Sequence, residues 1–204
     1  QSIYDTGNKR DFSFKSVGIQ AQGRTTVLKI NYRNTQEILD FATRFAKNLL
    51  TPAEADEDGV PRLAPISAGR HGPKPMLVRL PSLKDEAARI VEHFKAAHEK
   101  GLAWRDMAIL YRHWDPVGKA VNDMLRAQGL PYTGKTKIEF DGKQDTIRLL
   151  PFHSSKGLEF PLVAIPGIDD SADLAEEEAR LLYVAMTRAT HELLVFGENA
   201  KASV

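Results

Sequence analysis

The chain has 204 residues, enough for one good-sized domain with its own core, or one domain plus an appendage. Hydrophobic residues make up 42% and charged residues 27%, with a net charge of +1, so composition carries no electrostatic signature of nucleic-acid binding and any such surface must be local. There is no Cys, which excludes disulfide frameworks and thiolate metal sites and suits a cytoplasmic protein.

The N-terminal stretch Gln1 to Phe12 is polar, with no signal-peptide core and no starting Met, as expected of a processed product or a piece of a longer chain. Residues 1–24 show no clear period. Thr25–Ile30 reads as a strand, followed by the polar break Asn31-Tyr32-Arg33-Asn34. Apolar residues at helical spacing predict a helix from about Thr35 to Leu50, with Asn34 or Thr35 as its cap. Residues 51–75 hold five Pro, three Gly and four acidic residues, which predicts a long mobile loop. Met76–Leu80 is a short strand, and Ser82 with Asp85 forms a capping box for a helix running to about Lys100, with Gly101 just past its end.

Asp106–Arg112 is predicted as a strand and Val117–Gln128 as a helix. Lys137–Phe140 and Thr146–Leu150 read as extended, joined by an Asp141-Gly142 turn signal. Pro161–Ile168 is an apolar run of the kind found in strands buried on both faces. Leu174–Ala189 is a helix and His191–Phe196 a last strand. Strands alternating with helices predict an α/β fold with a parallel sheet and no internal repeat. No apolar run approaches the ~20 residues of a membrane span, so no membrane partner is expected.

Gly129-Leu130-Pro131-Tyr132-Thr133-Gly134-Lys135-Thr136 matches the phosphate-loop pattern G-x-x-x-x-G-K-[ST] literally. Such a loop needs a strand before it and a helix N-terminus after it, so that backbone N–H groups and the helix dipole face the phosphate. Here a helical pattern precedes the match and a strand-like one follows. The surroundings favour a helix C-cap at Gly129 and a turn at Gly134.

Four polar clusters interrupt the apolar pattern: Gln1–Tyr4, Asn31–Arg33, His153–Phe160, and Thr187-Arg188 at the end of a helix. Ligands of parallel α/β sheets gather at the carboxyl ends of strands, which would bring the second and third clusters to one edge, with Arg188 carried there by its helix. Taken singly, each has a plain structural reading. Arg33 can pair with Glu37, Glu176 with Arg180, and Lys156 with Glu159, while His153 can be a satisfied core histidine.

Together these segments resemble the C-terminal motor half of UvrD/Rep-like superfamily 1 DNA helicases. The carrying stretches are Gln1–Tyr4, Leu28–Thr35 with Ile38-Leu39, Ala108–Arg112, Gly129–Tyr132, Phe152–Phe160 and Glu176–Ala189. In that family Gly129–Tyr132 is not the phosphate loop. The resemblance implies a RecA-like second motor domain, with ATP and Mg2+ bound mainly by a first RecA-like domain in cis. Residues 1–24 would continue from that domain, and residues 25–204 would form the motor domain. The 133–150 stretch stands where an accessory domain is usually inserted.

By the same resemblance, Arg33 and Arg188 match the arginines that reach the γ-phosphate, and Gln1 the glutamine that senses it. Tyr32 matches the residue that stacks on adenine, and Glu159, with Gly157 before it, the ribose contact. His153, Ser154, Lys156 and Arg112 match positions near single-stranded DNA, and no metal ligand is assigned. Guanidinium suits the arginine role because it is planar, permanently charged and a bidentate donor, worth ~10³–10⁵ in the rate of phosphoryl transfer.

Two departures stand out. Asp5, Thr6 and Gly7 replace an aromatic residue and Arg-Gly that usually follow the first stretch, and Trp114 or His113 stands where the family has an Asn after its Tyr-Arg pair. Trp114 can stack on a base, or pack locally against Pro116 and Val117. The expectation is one half of an ATP-dependent DNA helicase, monomeric and without ATPase activity as this chain alone. The competing readings are a non-catalytic RecA-like binding module and a self-contained ATPase using Lys135 and Thr136.

Overall fold

A computed structural model describes residues 30–45, 66–134, 144–168 and 176–198. Gln1, the polar segment 1–24, most of the strand expected over Thr25–Ile30, Lys135, Thr136 and the expected hairpin at Asp141-Gly142 lie outside these residues.

The described chain runs β1 (Ile30–Asn31), α1 (Gln36–Phe45), β2 (Ile66–Ser67), β3 (Met76–Leu80), α2 (Leu83–Glu99), β4 (Met107–Tyr111), α3 (Lys119–Ala127), β5 (Tyr132–Thr133), β6 (Ile147–Pro151), β7 (Phe160–Ile165), α4 (Glu176–Met186) and β8 (Ala189–Glu198). Six strands form one sheet in the order β3-β8-β7-β4-β6-β5, every neighbouring pair parallel. β1 and β2 pair with each other, outside this sheet. The expected α/β fold is therefore present, but the 51–75 loop contributes a strand at Ile66–Ser67.

Side-chain alternation explains how the sheet is covered. Along β4, Ala108 and Leu110 face one core while Met107, Ile109 and Tyr111 face the other. Val163 and Ile165 of β7 and Leu193 and Val195 of β8 join the first core, where Ile38 and Ala42 of α1 meet Leu181, Leu182, Ala185 and Met186 of α4. Ala87, Ile90, Val91 and Phe94 of α2 and Val121 and Leu125 of α3 close the second. Helices thus lie on both faces of a sheet whose two middle strands, β7 and β4, are apolar throughout, the pattern of buried parallel strands. Each fully buried Leu, Ile or Phe contributes roughly 1.5–3 kcal/mol.

Local signals set the element ends. Ser82 Oγ accepts from the backbone N–H of Asp85 at 3.2 Å and caps α2. Buried Glu86, in the first turn of the same helix, accepts from Gly167 N–H at 2.7 Å and ties the chain after β7 to that helix. The phosphate-loop match divides as its surroundings require. Gly129 takes φ +63 just past α3, Leu130 N–H returns to Leu125 O at 3.1 Å, and Tyr132-Thr133 then enters the sheet. Helix, C-cap and strand follow in the order opposite to that of a phosphate loop. At the sheet edge Arg148 is buried and donates to the hydroxyls of Thr133 and Thr146 at 2.9 and 3.1 Å. Among the described residues, no helix is long and apolar enough to cross a membrane.

Candidate functional site

The segment between β6 and β7 decides where the site lies. β6 and β7 flank β4 and run parallel to it, so residues 152–159 leave β6 at its carboxyl end and enter β7 at its amino end. Phe152 and Phe160 anchor the two ends of this short crossover in the core shared with α4. Phe160 pairs with Ala189 at the start of β8, and Phe160 N–H donates to Arg188 O at 2.9 Å. Glu159 and Arg188 therefore stand side by side at the amino ends of β7 and β8, not at a carboxyl edge. His153 stays beside the carboxyl end of β6. The third cluster is split between the two ends of the sheet because its own length spans the crossover.

Arg33 reaches the same place by another route. The described residues of the strand before it, Ile30–Asn31, pair with β2 and not with the main sheet. Instead α1 packs on α4, and the turn before α1 is pinned to the end of α4. Asn34, buried at 1% exposure, donates from Nδ2 to Thr187 O at 2.9 Å and to Ala189 O at 2.6 Å. Arg33 Nε then lies 2.5 Å from Glu159 Oε2. The pairing of Arg33 with Glu37 weighed from sequence is not what forms. Glu37 accepts instead from Gly72 N–H at 3.0 Å and meets His71 Nδ1 at 2.9 Å.

Arg188 is half-buried. Its Nε donates to Val184 O at 3.0 Å, Nη1 to Leu158 O at 3.2 Å, and Nη2 reaches Thr187 Oγ1 at 3.5 Å. Two of these acceptors belong to the last turn of α4 and the residue after it, where a helix carries its partial negative charge. Burial, and then the neighbouring Arg33 charge, push the Arg188 pKa below its ordinary value, while Glu159 opposes the shift. Arg33 thus pairs with Glu159, and Arg188 stands beside them with its Nη1 on the carbonyl of Leu158, the residue before Glu159. That local excess of positive charge suits an anion.

Tyr32 lies on the same turn and is 73% exposed. A strap that sequence reasoning did not single out holds this turn from behind. Arg70 Nη1 donates to Tyr32 O at 3.3 Å and Arg33 O at 2.8 Å, and Ser67 Oγ donates to Asn34 O at 3.1 Å. Both residues lie in the Pro- and Gly-rich stretch, where no period or motif marks them. Of the two caps expected for α1, Thr35 takes the place, its Oγ1 accepting from Ile38 N–H at 3.4 Å, which leaves Asn34 to its bonds across to Thr187 and Ala189.

The remaining candidates divide. Gly157 sits on the crossover with φ +82, Ser154 beside it is half-buried, and His153 and Lys156 are exposed. Arg112 is engaged within the domain, since its Nε and Nη2 grip the Glu178 carboxylate at 2.5–2.9 Å. Those bonds hold Glu178 below the usual carboxylate range and raise the Arg112 pKa. Trp114 is half-buried and meets the Tyr111 ring edge-on, with centroids 5.8 Å apart.

The chain is similar to known DNA helicases and to a solved helicase domain. ATP-dependent DNA helicase PcrA of Bacillus subtilis is 43% identical over 75 residues, which cover 32% of this chain and 10% of the relative. DNA helicase II of Escherichia coli is 40% identical over 72 residues, covering 30% of this chain and 10% of the relative. The aligned stretch is thus about a tenth of either relative's length. The crystal structure of the C-terminal domain of a possible DNA helicase from Lactobacillus plantarum superposes with a TM-score of 0.61 at 22% identity, covering 83% of this chain and 89% of that one, a likeness of fold. Two family models, each described as a UvrD-like helicase C-terminal domain, match residues 26–144 and 146–196. Between them they take in nearly all of the described fold, and the chain belongs to the UvrD-like helicase C-terminal domain family.

Proposed function

We propose that this domain is the second motor domain of an ATP-dependent DNA helicase or translocase. In this reading it lends Arg33 and Arg188 to an ATP whose phosphates and Mg2+ are held mainly by a first RecA-like domain of the same polypeptide. The observation that carries the reading is the meeting of two arginines from separate elements on one edge, Arg33 on the carboxylate of Glu159 and Arg188 on the carbonyl of Leu158 just before it. A polyphosphate brought against that edge supplies the missing negative charge. Arg33 exchanges Glu159 for phosphate oxygens, to which its planar fork can donate two parallel hydrogen bonds. Arg188 adds fixed positive charge where negative charge grows during phosphoryl transfer.

The neighbouring side chains fit the rest of a nucleotide. Tyr32 offers an exposed ring to a base, and Glu159, once released from Arg33, offers carboxylate oxygens to a ribose hydroxyl. Gly157 keeps the crossover backbone free of a side chain at that turn. Gln1 belongs to this reading by resemblance alone, as the phosphate-sensing glutamine.

Single-stranded DNA is assigned to the other end of the crossover, where His153, Ser154 and Lys156 present polar groups to its phosphates. Arg112 and Trp114 complete that surface only as far as the Arg112 ion pair with Glu178 and the Trp114 ring contact with Tyr111 allow. A crossover of eight residues that touches DNA at one end and nucleotide at the other gives a short mechanical link between the two ligands. Cytoplasmic placement is part of the same reading.

The test is Arg188→Ala in the full-length protein. ATP affinity should stay within about twofold while DNA-stimulated turnover falls by ~10³ or more. Unchanged turnover would sink the proposal and leave a non-catalytic binding module.

A further inference from the structure

The two arginines stand on different elements, so their separation is set by the contacts that join those elements. Asn34 lies between them in the hydrogen-bond network. Its Nδ2 donates to the carbonyls of Thr187 and Ala189, the residues on either side of Arg188. Its Oδ1 accepts from Asn31 Nδ2 at 2.9 Å. Asn31 Oδ1 in turn accepts from the backbone N–H groups of Arg33, at 2.8 Å, and Asn34, at 3.0 Å. One amide therefore grips the peptides flanking Arg188, the other grips the peptide of Arg33, and the two are bonded to each other.

We infer that Asn34 is a positioning residue that sets the distance between Arg33 and Arg188, so that both guanidiniums reach one anion. This rests on the reading that these arginines serve ATP turnover.

The chemistry of the position is demanding. Two carbonyls need two donors, and the carboxamide supplies both from one nitrogen while its oxygen still accepts. Aspartate would set a carboxylate against two carbonyl oxygens. Serine can donate one hydrogen bond, not two. Alanine would leave buried carbonyls without these donors, and a buried polar group stripped of its partner is costly. The clasp is also tightly enclosed, since Asn34 and Thr35 are both 1% exposed and Ser67 closes over the Asn34 carbonyl.

The experiment uses the full-length protein and measures DNA-stimulated ATPase for wild type, Asn34→Ala, Asn34→Ser, Arg188→Ala and the double variants. Misplacing a catalytic group by about 1 Å costs on the order of 100-fold in rate. Asn34→Ala should therefore lower kcat by roughly 10- to 100-fold with KM for ATP within about twofold, and Asn34→Ser should fall between it and wild type. In the Arg188→Ala background, either Asn34 substitution should cost less than about a further twofold, because the pair to be aligned is already gone.

Two outcomes overturn the inference while leaving the functional reading in place. One is unchanged kcat in Asn34→Ala beside a collapsed Arg188→Ala. The other is an equal loss in both backgrounds, which marks general damage to the fold. If Arg188→Ala itself turns over normally, the functional reading falls and the inference with it. Should Asn34→Ala fail to fold, as a thermal melt will show, Asn34→Ser in the two backgrounds carries the same comparison.

Discussion

Arg33 Nε stands 2.5 Å from Glu159 Oε2, joining the turn before α1 to the residue before β7. The two side chains are 41% and 56% exposed, so solvent screens their attraction and the pair contributes no more than about 1 kcal/mol to stability. Its position matters more than its strength, because it parks Arg33 beside Arg188.

Glu159→Gln should accordingly change the stability of the domain by less than about 1 kcal/mol, measured by urea denaturation. In the full-length protein the same change should raise KM for ATP and leave kcat nearly intact, since the assigned contact is to the sugar and not to the phosphoryl group. A loss in kcat as large as that expected for Arg188→Ala would move Glu159 into the phosphoryl-transfer step.

The strap behind Arg33 carries its own pH dependence. Hydrogen bonding to His71 first, then to backbone N–H groups including that of Gly72, lowers the Glu37 pKa to about 2. A carboxylate depressed on folding binds its proton more readily in the unfolded chain. Its stabilising contribution is therefore full above the ordinary value of 4.5 and is lost as pH falls towards 2. Carboxyl NMR should place the Glu37 midpoint near the lower value, and His71→Ala should move it upward. A midpoint that does not move would remove His71 from the strap.

Arg112 and Glu178 make the best-formed ion pair of the described residues, with three contacts between one guanidinium and one carboxylate. They tie the residue after β4 to the first turns of α4, the helix that ends at Arg188. Each side chain is about one-third exposed, so Arg112→Ala should destabilise the chain by about 1 kcal/mol at neutral pH. Because Glu178 is held below the usual carboxylate range, this difference from wild type should shrink as pH drops and the carboxyl protonates. Denaturation curves at neutral and acid pH test both statements. A cost that persists unchanged in acid would point to lost packing of the Arg112 stem.

Gly167 and Gly129 both hold positive φ but differ in their surroundings. A Cβ on Gly167 would stand 2.6 Å from Val117 Cγ2, whereas nothing lies within 4 Å of one on Gly129. Gly129→Ala should cost only the left-handed backbone penalty, about 1 kcal/mol. Gly167→Ala adds a clash within the packed turn before α3 and should cost about 2–4 kcal/mol. Equal denaturation midpoints for the two variants would show that the Val117 side chain swings away freely.

The sequence by itself determined most of the elements and the family. Met76–Leu80, the Ser82 cap and the Gly129 stop can be read from local rules, because a capping hydroxyl, a left-handed glycine and a strand's apolar run act over a few residues. The same rules placed a helix end at Gly129 within the phosphate-loop match, while the strand at Tyr132–Thr133 inside that match came only with the structure. The residues Arg33, Glu159 and Arg188 were also named from sequence, through resemblance.

Only the tertiary structure decided how those residues meet. That β6 and β7 flank β4, which sends Glu159 to the amino ends of the strands, is a matter of strand order, and no local pattern records strand order. The Asn34, Arg70 and Ser67 contacts join segments up to 155 residues apart, and amides, guanidiniums and hydroxyls of this kind are common on any surface. Their meaning comes from which carbonyl stands opposite them once two helices have packed and a buried amide must find its partners.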